Sequence, residues 1–179
     1  MFESMGQFDF LSLYRYYKLA RKRIKRGFNW RSWFSRLLAL AMVAYYISLF
    51  DRIVWTPTLI VLNIICLLIL LYTFFPVFFG ALKFSLFTPK ADREDHTTYQ
   101  YDRIHNECQE LWEEYYYSDF VEIVVVRNAM YLFISDVRAV IQTERNLTRG
   151  RLDDLADFLS EKTGLPVRRF QSVAAYRKE

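Results

Sequence analysis

Two apolar stretches, Leu37–Phe50 and Ile53–Leu82, follow one another behind nine basic residues. Those residues are Arg15, Lys18, Arg21, Lys22, Arg23, Lys25, Arg26, Arg31 and Arg36, with no acid among them. A helix needs about 20 apolar residues to cross about 30 Å of hydrocarbon. Pro57–Phe75 supplies nineteen uncharged residues. Thr56 suits an N-cap and Pro57 a first helical position. Pro76 then ends or kinks the helix. The first stretch reaches eighteen residues if counted from Trp33, provided that Arg36 snorkels to the interface.

The pattern therefore predicts an α+β membrane protein with an antiparallel two-helix transmembrane hairpin over 33–82, its spans at about 33–50 and 57–75. The competing reading, core helices of a soluble protein, would require a small domain to hide both runs. The positive-inside rule places the basic cluster and both termini in the cytoplasm. Residues 1–32 read as a basic amphipathic juxtamembrane segment. Within it Phe10, Leu13, Tyr14, Tyr17 and Ile24 fall at roughly helical spacing. Such a helix can lie on anionic lipid headgroups through Arg15, Lys18, Arg21, Lys22, Arg23, Lys25 and Arg26, each contributing about 1 kcal/mol near the surface. The plainer alternative is a charge cluster that sets topology and nothing more.

Charge is divided along the chain. Residues 1–36 carry +7, and residues 83–179 carry −3. The pI of about 9.0 thus describes the segment beside the spans. Nucleic-acid binding would want that charge on a folded face, so no nucleic-acid partner is expected. Cys66 and Cys108 have no CxxC partner, which argues against a disulfide framework or a zinc site. Thirty-six mostly polar residues ahead of the first apolar run do not resemble a cleavable signal peptide.

Residues 92–179 read as a small cytoplasmic domain after the polar linker Ala91–His96. Tyr99-Gln100-Tyr101 and Cys108–Trp112 are candidate strands. Phe120–Arg127 and Met130–Ser135 are clearer ones, joined by Asn128-Ala129 as a hairpin connection. Asp136-Val137 makes a second tight turn before Arg138–Thr143. These strands form an antiparallel β-meander with one apolar face. A C-terminal helix over about 149–163 follows, capped by Thr148 or Asp153, with Leu152, Leu155, Phe158 and Leu159 as its apolar stripe. Gly164 and Pro166 stop it. Val167–Glu179 reads as a tail or a short edge strand.

Two spans followed by YYYSDFVEIVVVRNAMYLFISDVRAVIQTE and a short helix resemble the YcxB-like family of bacterial membrane proteins. The matching parts are Tyr117-Ser118-Asp119-Phe120, Glu122–Val126, Asn128-Ala129, Met130–Ser135 and Ala139-Val140-Ile141. The N-terminal FDFLSLYRYYKLARK also resembles the segment that this family carries before its first span. Two features depart from the pattern. Ile141-Gln142-Thr143 stands where an Ile-Pro-basic triplet is usual, and Arg103–Glu107 replaces a Gly-rich turn. The resemblance implies a pleckstrin-homology-like domain, a multi-pass address in the bacterial inner membrane, and no transferable chemistry.

The residues offer little for catalysis. His105 and Cys108 are three apart, so a strand would put them on opposite faces, and His96 lies elsewhere. Asp119 and Glu122 have the same difficulty, and Asp119 suits a turn cap. Glu107, Glu110, Glu113 and Glu114 read as a solvated acidic face. Asn146-Leu147-Thr148 is a glycosylation sequon that a cytoplasmic location makes irrelevant. No catalytic, cofactor-binding or metal residue is assigned, no cofactor is expected, and the chain is read as a non-enzyme. The predicted function is a membrane-tethered cytoplasmic interaction or regulatory module with an unknown protein or peptide partner. The alternative is a membrane-perturbing effector whose β-domain senses a ligand and whose spans oligomerise into a pore.

Overall fold

The computed structural model of the protein describes residues 2–7, 9–24, 30–49, 56–88, 94–108 and 111–176. Their elements run β1 (Phe2–Gln7), α1 (Phe10–Arg23), α2 (Trp30–Leu49), α3 (Pro57–Phe74), α4 (Pro76–Phe87), β2 (Glu94–Tyr99), β3 (Arg103–Cys108), β4 (Leu111–Tyr116), β5 (Glu122–Val126), β6 (Ala129–Phe133), β7 (Ala139–Thr143), β8 (Leu147–Arg149), α5 (Leu152–Thr163) and β9 (Val167–Phe170). The chain divides into two units: Met1–Lys25 with Gly80–Glu179, and Arg26–Phe79.

Among the described residues no single helix is long and apolar enough to cross a membrane. This overturns the expected two-span hairpin and, with it, the multi-pass inner-membrane address with cytoplasmic termini. Within α2 the stretch Arg36–Tyr45 qualifies only as a shorter apolar helix among the described residues. Asn63–Phe74 and Pro76–Phe87 meet the length and composition test only as a pair, and they are bent by 109°. Pro76 is the physical reason, since it offers no N–H to the preceding turn and its ring clashes there. A run of apolar letters is thus two helices. Beyond the break, Ala81 is fully buried and Phe84 packs into the core of the first unit. The connection between the two expected spans, residues 50–55, lies outside the described residues. In the second unit many apolar side chains of α2 and α3 are exposed, among them Leu40, Ile47, Ile64 and Ile69.

The first unit holds two sheets. One has five strands in the order β4-β3-β2-β1-β8, and the other four in the order β7-β6-β5-β9. The ladders are antiparallel except β5 with β9, which is parallel. The N-terminal strand is therefore interior to a sheet, with Ser4 opposite Thr97 on one side and Leu147 on the other. Two close approaches fix its place. A Cβ on Gly6 would meet the Asn146 side chain at 2.6 Å, and one on Gly150, at φ 94°, would meet the Phe2 ring at 2.6 Å. The polar linker expected at 91–96 is in part strand, because Glu94–Tyr99 forms β2.

The four-stranded sheet is covered on both faces, not on one as expected. Ile123, Val125, Met130, Leu132 and Val140 face the other sheet and α5, where Leu152, Leu155, Ala156 and Leu159 close the core. Val124, Val126, Tyr131, Phe133 and Ile141 face Leu13 and Leu19 of α1, with Val173 and Tyr176. Double-sided burial explains the unbroken apolar run Ile123–Val126, since alternation is needed only where one face meets water. The tight turn between β5 and β6 is Arg127-Asn128, one residue earlier than expected, with Arg127 at φ 56°. Ala129 is a buried strand residue. Helix α5 starts one residue after Arg151, which makes no side-chain cap, and ends at Gly164 at φ 71°.

Candidate functional site

Helix α1 was expected to lie on lipid, but it packs on protein. Asp9 caps it by accepting from the Ser12 amide at 3.0 Å. Its buried side is Ser12, Leu13, Leu19, Ala20 and Arg23, and the Tyr131 hydroxyl donates to the Ser12 carbonyl at 3.1 Å. Two of the predicted lipid contacts serve the fold. Lys22 Nζ donates to the carbonyls of Val173, Ala174 and Tyr176 at 2.8, 3.0 and 3.0 Å. Arg23, 3% exposed, pairs with Glu122 and stacks at 4.1 Å over the Phe133 ring. Glu122 also accepts from Arg168 Nη1 at 2.7 Å and from the Tyr176 hydroxyl at 3.0 Å. One carboxylate thus ties α1, β9 and the C-terminal turn to β5. The sequence suggests for Glu122 only a comparison with Asp119, because its partners Arg23, Arg168 and Tyr176 all lie far along the chain. The nearby Asp119 does cap a turn, accepting from the Tyr116 amide at 2.9 Å. Lys18 and Arg21 are exposed, and Arg15 is half-buried at the rim of a cleft with Asp9 and Arg145. Lys25 and Arg26 lie outside the described residues.

The side chains best placed to meet a partner are on β3 and β4. The register sets Arg103 opposite Tyr116, His105 opposite Glu114 and Glu107 opposite Trp112. Strand pleating puts alternate residues on one face, so these six share the outer face of the sheet. Trp112 is 65% exposed and Tyr116 52%. The His105 ring stacks on Trp112 at 6.2 Å and 24°, and the Arg103 guanidinium lies 5.9 Å from the Tyr116 ring. Glu114 sits between the aromatics, accepting from Arg103 Nη1 at 3.1 Å, with His105 Nδ1 at 3.6 Å. Within the expected acidic face Glu114 is thus paired with Arg103, and Glu113 with Arg138. His105 meets Glu114 rather than a metal set, and no group of three possible metal ligands occurs among the described residues.

Strand β4 is also an edge, with no further described strand beyond it. Tyr115 and Tyr117 turn inward and are buried. Burial, with the Glu113 carboxylate beside it, pushes the Tyr115 hydroxyl up to about 12, and burial pushes Tyr117 to about 12 as well. Glu113 is held below the usual carboxylate range by the Tyr115 hydroxyl and by Arg138. The edge is therefore anchored from within while its outer face carries two exposed aromatic rings, one against His105 and one beside Arg103.

No family model, curated protein or solved structure matches the chain.

Proposed function

We propose that the two-sheet unit is an interaction module that takes an extended peptide of a protein partner onto the edge of β4. The observation that supports it most is an open edge strand with Trp112 and Tyr116 exposed on one face. Charge commonly blunts such an edge against pairing, but here Glu113 and Glu114 are paired with Arg138 and Arg103. An added strand would gain main-chain hydrogen bonds, with side-chain pockets at alternate positions. Tryptophan and tyrosine are the residues that most often dominate binding energy at interfaces. The exposed apolar side chains of α2 and α3 agree with a protein that works in an assembly, since patches of that kind mark interaction sites. The likeness of the meander to the YcxB-like family belongs to this reading. It assigns the unit binding and no turnover.

A photo-crosslinking residue at position 116 tests the proposal in cells, with one at the buried position 117 as control. Recurrent capture of one other protein from 116, and not from 117, is expected. Capture of nothing, or of further copies of the chain alone, would overturn the reading.

A further inference from the structure

Between the two sheets, at the open end of the core, the inner face of β2 turns polar. Asp95, Thr97 and Tyr99 alternate along it and are all buried, Asp95 being 7% exposed. Asn106 of β3 and Gln142 of β7 meet them. Thr97 Oγ1 lies 3.2 Å from Asp95 Oδ2 and 3.2 Å from Asn106 Oδ1, and it accepts from Gln142 Nε2 at 3.0 Å.

Counting protons identifies the charge state of this cluster. A threonine hydroxyl has one hydrogen and two lone pairs. If Asp95 is ionised, that hydrogen can serve either Asp95 or Asn106, and the other oxygen faces an oxygen. If Asp95 carries a proton, its hydroxyl donates to Thr97, Thr97 donates to Asn106, and every contact is filled. Turning the Asn106 amide over would give Thr97 another donor but remove the one that Asn106 offers to Asp95. Three strands then share one closed chain of hydrogen bonds.

Burial, rather than the charged groups around it, favours the neutral form of Asp95. Burial acts first and pushes the carboxyl up to about 6; bonds from Thr97 and Asn106 and the charge of His96 oppose this, while Glu113 adds to it. His96 of β2 is bonded to Glu3 of β1 at 2.8 Å. Arg138, at the start of β7, is paired with Glu113 and donates to the Tyr115 hydroxyl at 3.0 Å. Tyr99 is 1% exposed, and its buried hydroxyl faces the Gln142 side chain.

We propose that Asp95 is a proton-operated latch between the two sheets, closing the seam of β2, β3 and β7 when protonated and loosening it when ionised. The sign follows from linkage. An acid whose folded-state affinity for protons exceeds its unfolded one stabilises the closed form at low pH, and that gain is lost as pH rises from about 4 to about 6, by roughly a hundredfold in the opening equilibrium. The latch is independent of what binds β4.

Two measurements on the full chain test it. The side-chain carboxyl resonance of Asp95 should titrate with a midpoint near 6; a midpoint below 4 would overturn the proposal. Native-state amide exchange in Glu94–Tyr99 and Ala139–Thr143, corrected for intrinsic base catalysis, should show opening that rises roughly twentyfold between pH 4.5 and 7. Asp95→Asn, which keeps the shape without the charge, should make that opening pH-independent. Equal pH dependence in both proteins would also overturn it. The resonance decides the matter if the variant does not fold.

Discussion

In the four-stranded sheet every residue of β6 is buried, whereas in the five-stranded sheet β2 alternates buried and partly exposed positions and places an aspartate, a threonine and a tyrosine on its inner side. The first sheet is held by apolar packing on two faces. The second is held by one apolar face that gives way to a polar seam, and by a strand contributed from the far end of the chain. Strands covered on both sides can thus be nearly all apolar and self-evident, while those covered on one side depend on partners distant in sequence.

The sharpest way to break this comparison is to remove those partners. Residues 92–179 alone lack β1, which separates β2 from β8, and α1, which covers Val124, Tyr131 and Phe133. That fragment should show no cooperative melt by circular dichroism, and a native-like melt would mean that the N-terminal elements are dispensable. The next effect belongs to the four-stranded sheet. Glu122→Ala leaves Arg23 buried without its carboxylate, and breaking a buried pair in this way costs about 3–5 kcal/mol. Glu114→Ala on the exposed face of β4 should cost about 1 kcal/mol or less, so urea unfolding of the two variants should differ clearly. Smallest of all, Trp112→Ala should change stability by within about 0.5 kcal/mol, as exposed positions away from special features do. A large loss there would show that the ring supports the fold and is not held out for a partner.

The same contrast explains what could be read from the sequence. Phe120–Arg127, Met130–Ser135 and the Leu152–Leu159 stripe stand out because their periods are local, and β5, β6 and α5 lie within or close to the ranges read for them. The strand at Phe2–Gln7 is short, polar and separated from β2 by more than eighty residues, so no local period marks it. Lys22 and Arg23 read as surface charge because their partners, the carbonyls at 173–176 and the Glu122 carboxylate, lie far along the chain. The break at Pro76 was legible because it depends on that residue alone, and α3 ends at Phe74 with α4 starting at Pro76. At the candidate site the run Tyr115-Tyr116-Tyr117 is plain in the sequence, but only the fold decides that Tyr116 points outward and Tyr115 and Tyr117 inward. Asp95 was invisible because burial of a lone acid has no sequence signature.

The N-terminal segment is built into the fold as an interior strand. Amide hydrogen exchange of the full chain at Phe2–Gln7 tests it directly. Strand β1 has neighbours on both sides, and in the antiparallel ladder with β2 it pairs along its whole length. Its amides should therefore exchange as slowly as those of β2, in keeping with an interior strand. Exchange of Phe2–Gln7 at the rate of an unstructured terminus, with β2 still protected, would contradict the account.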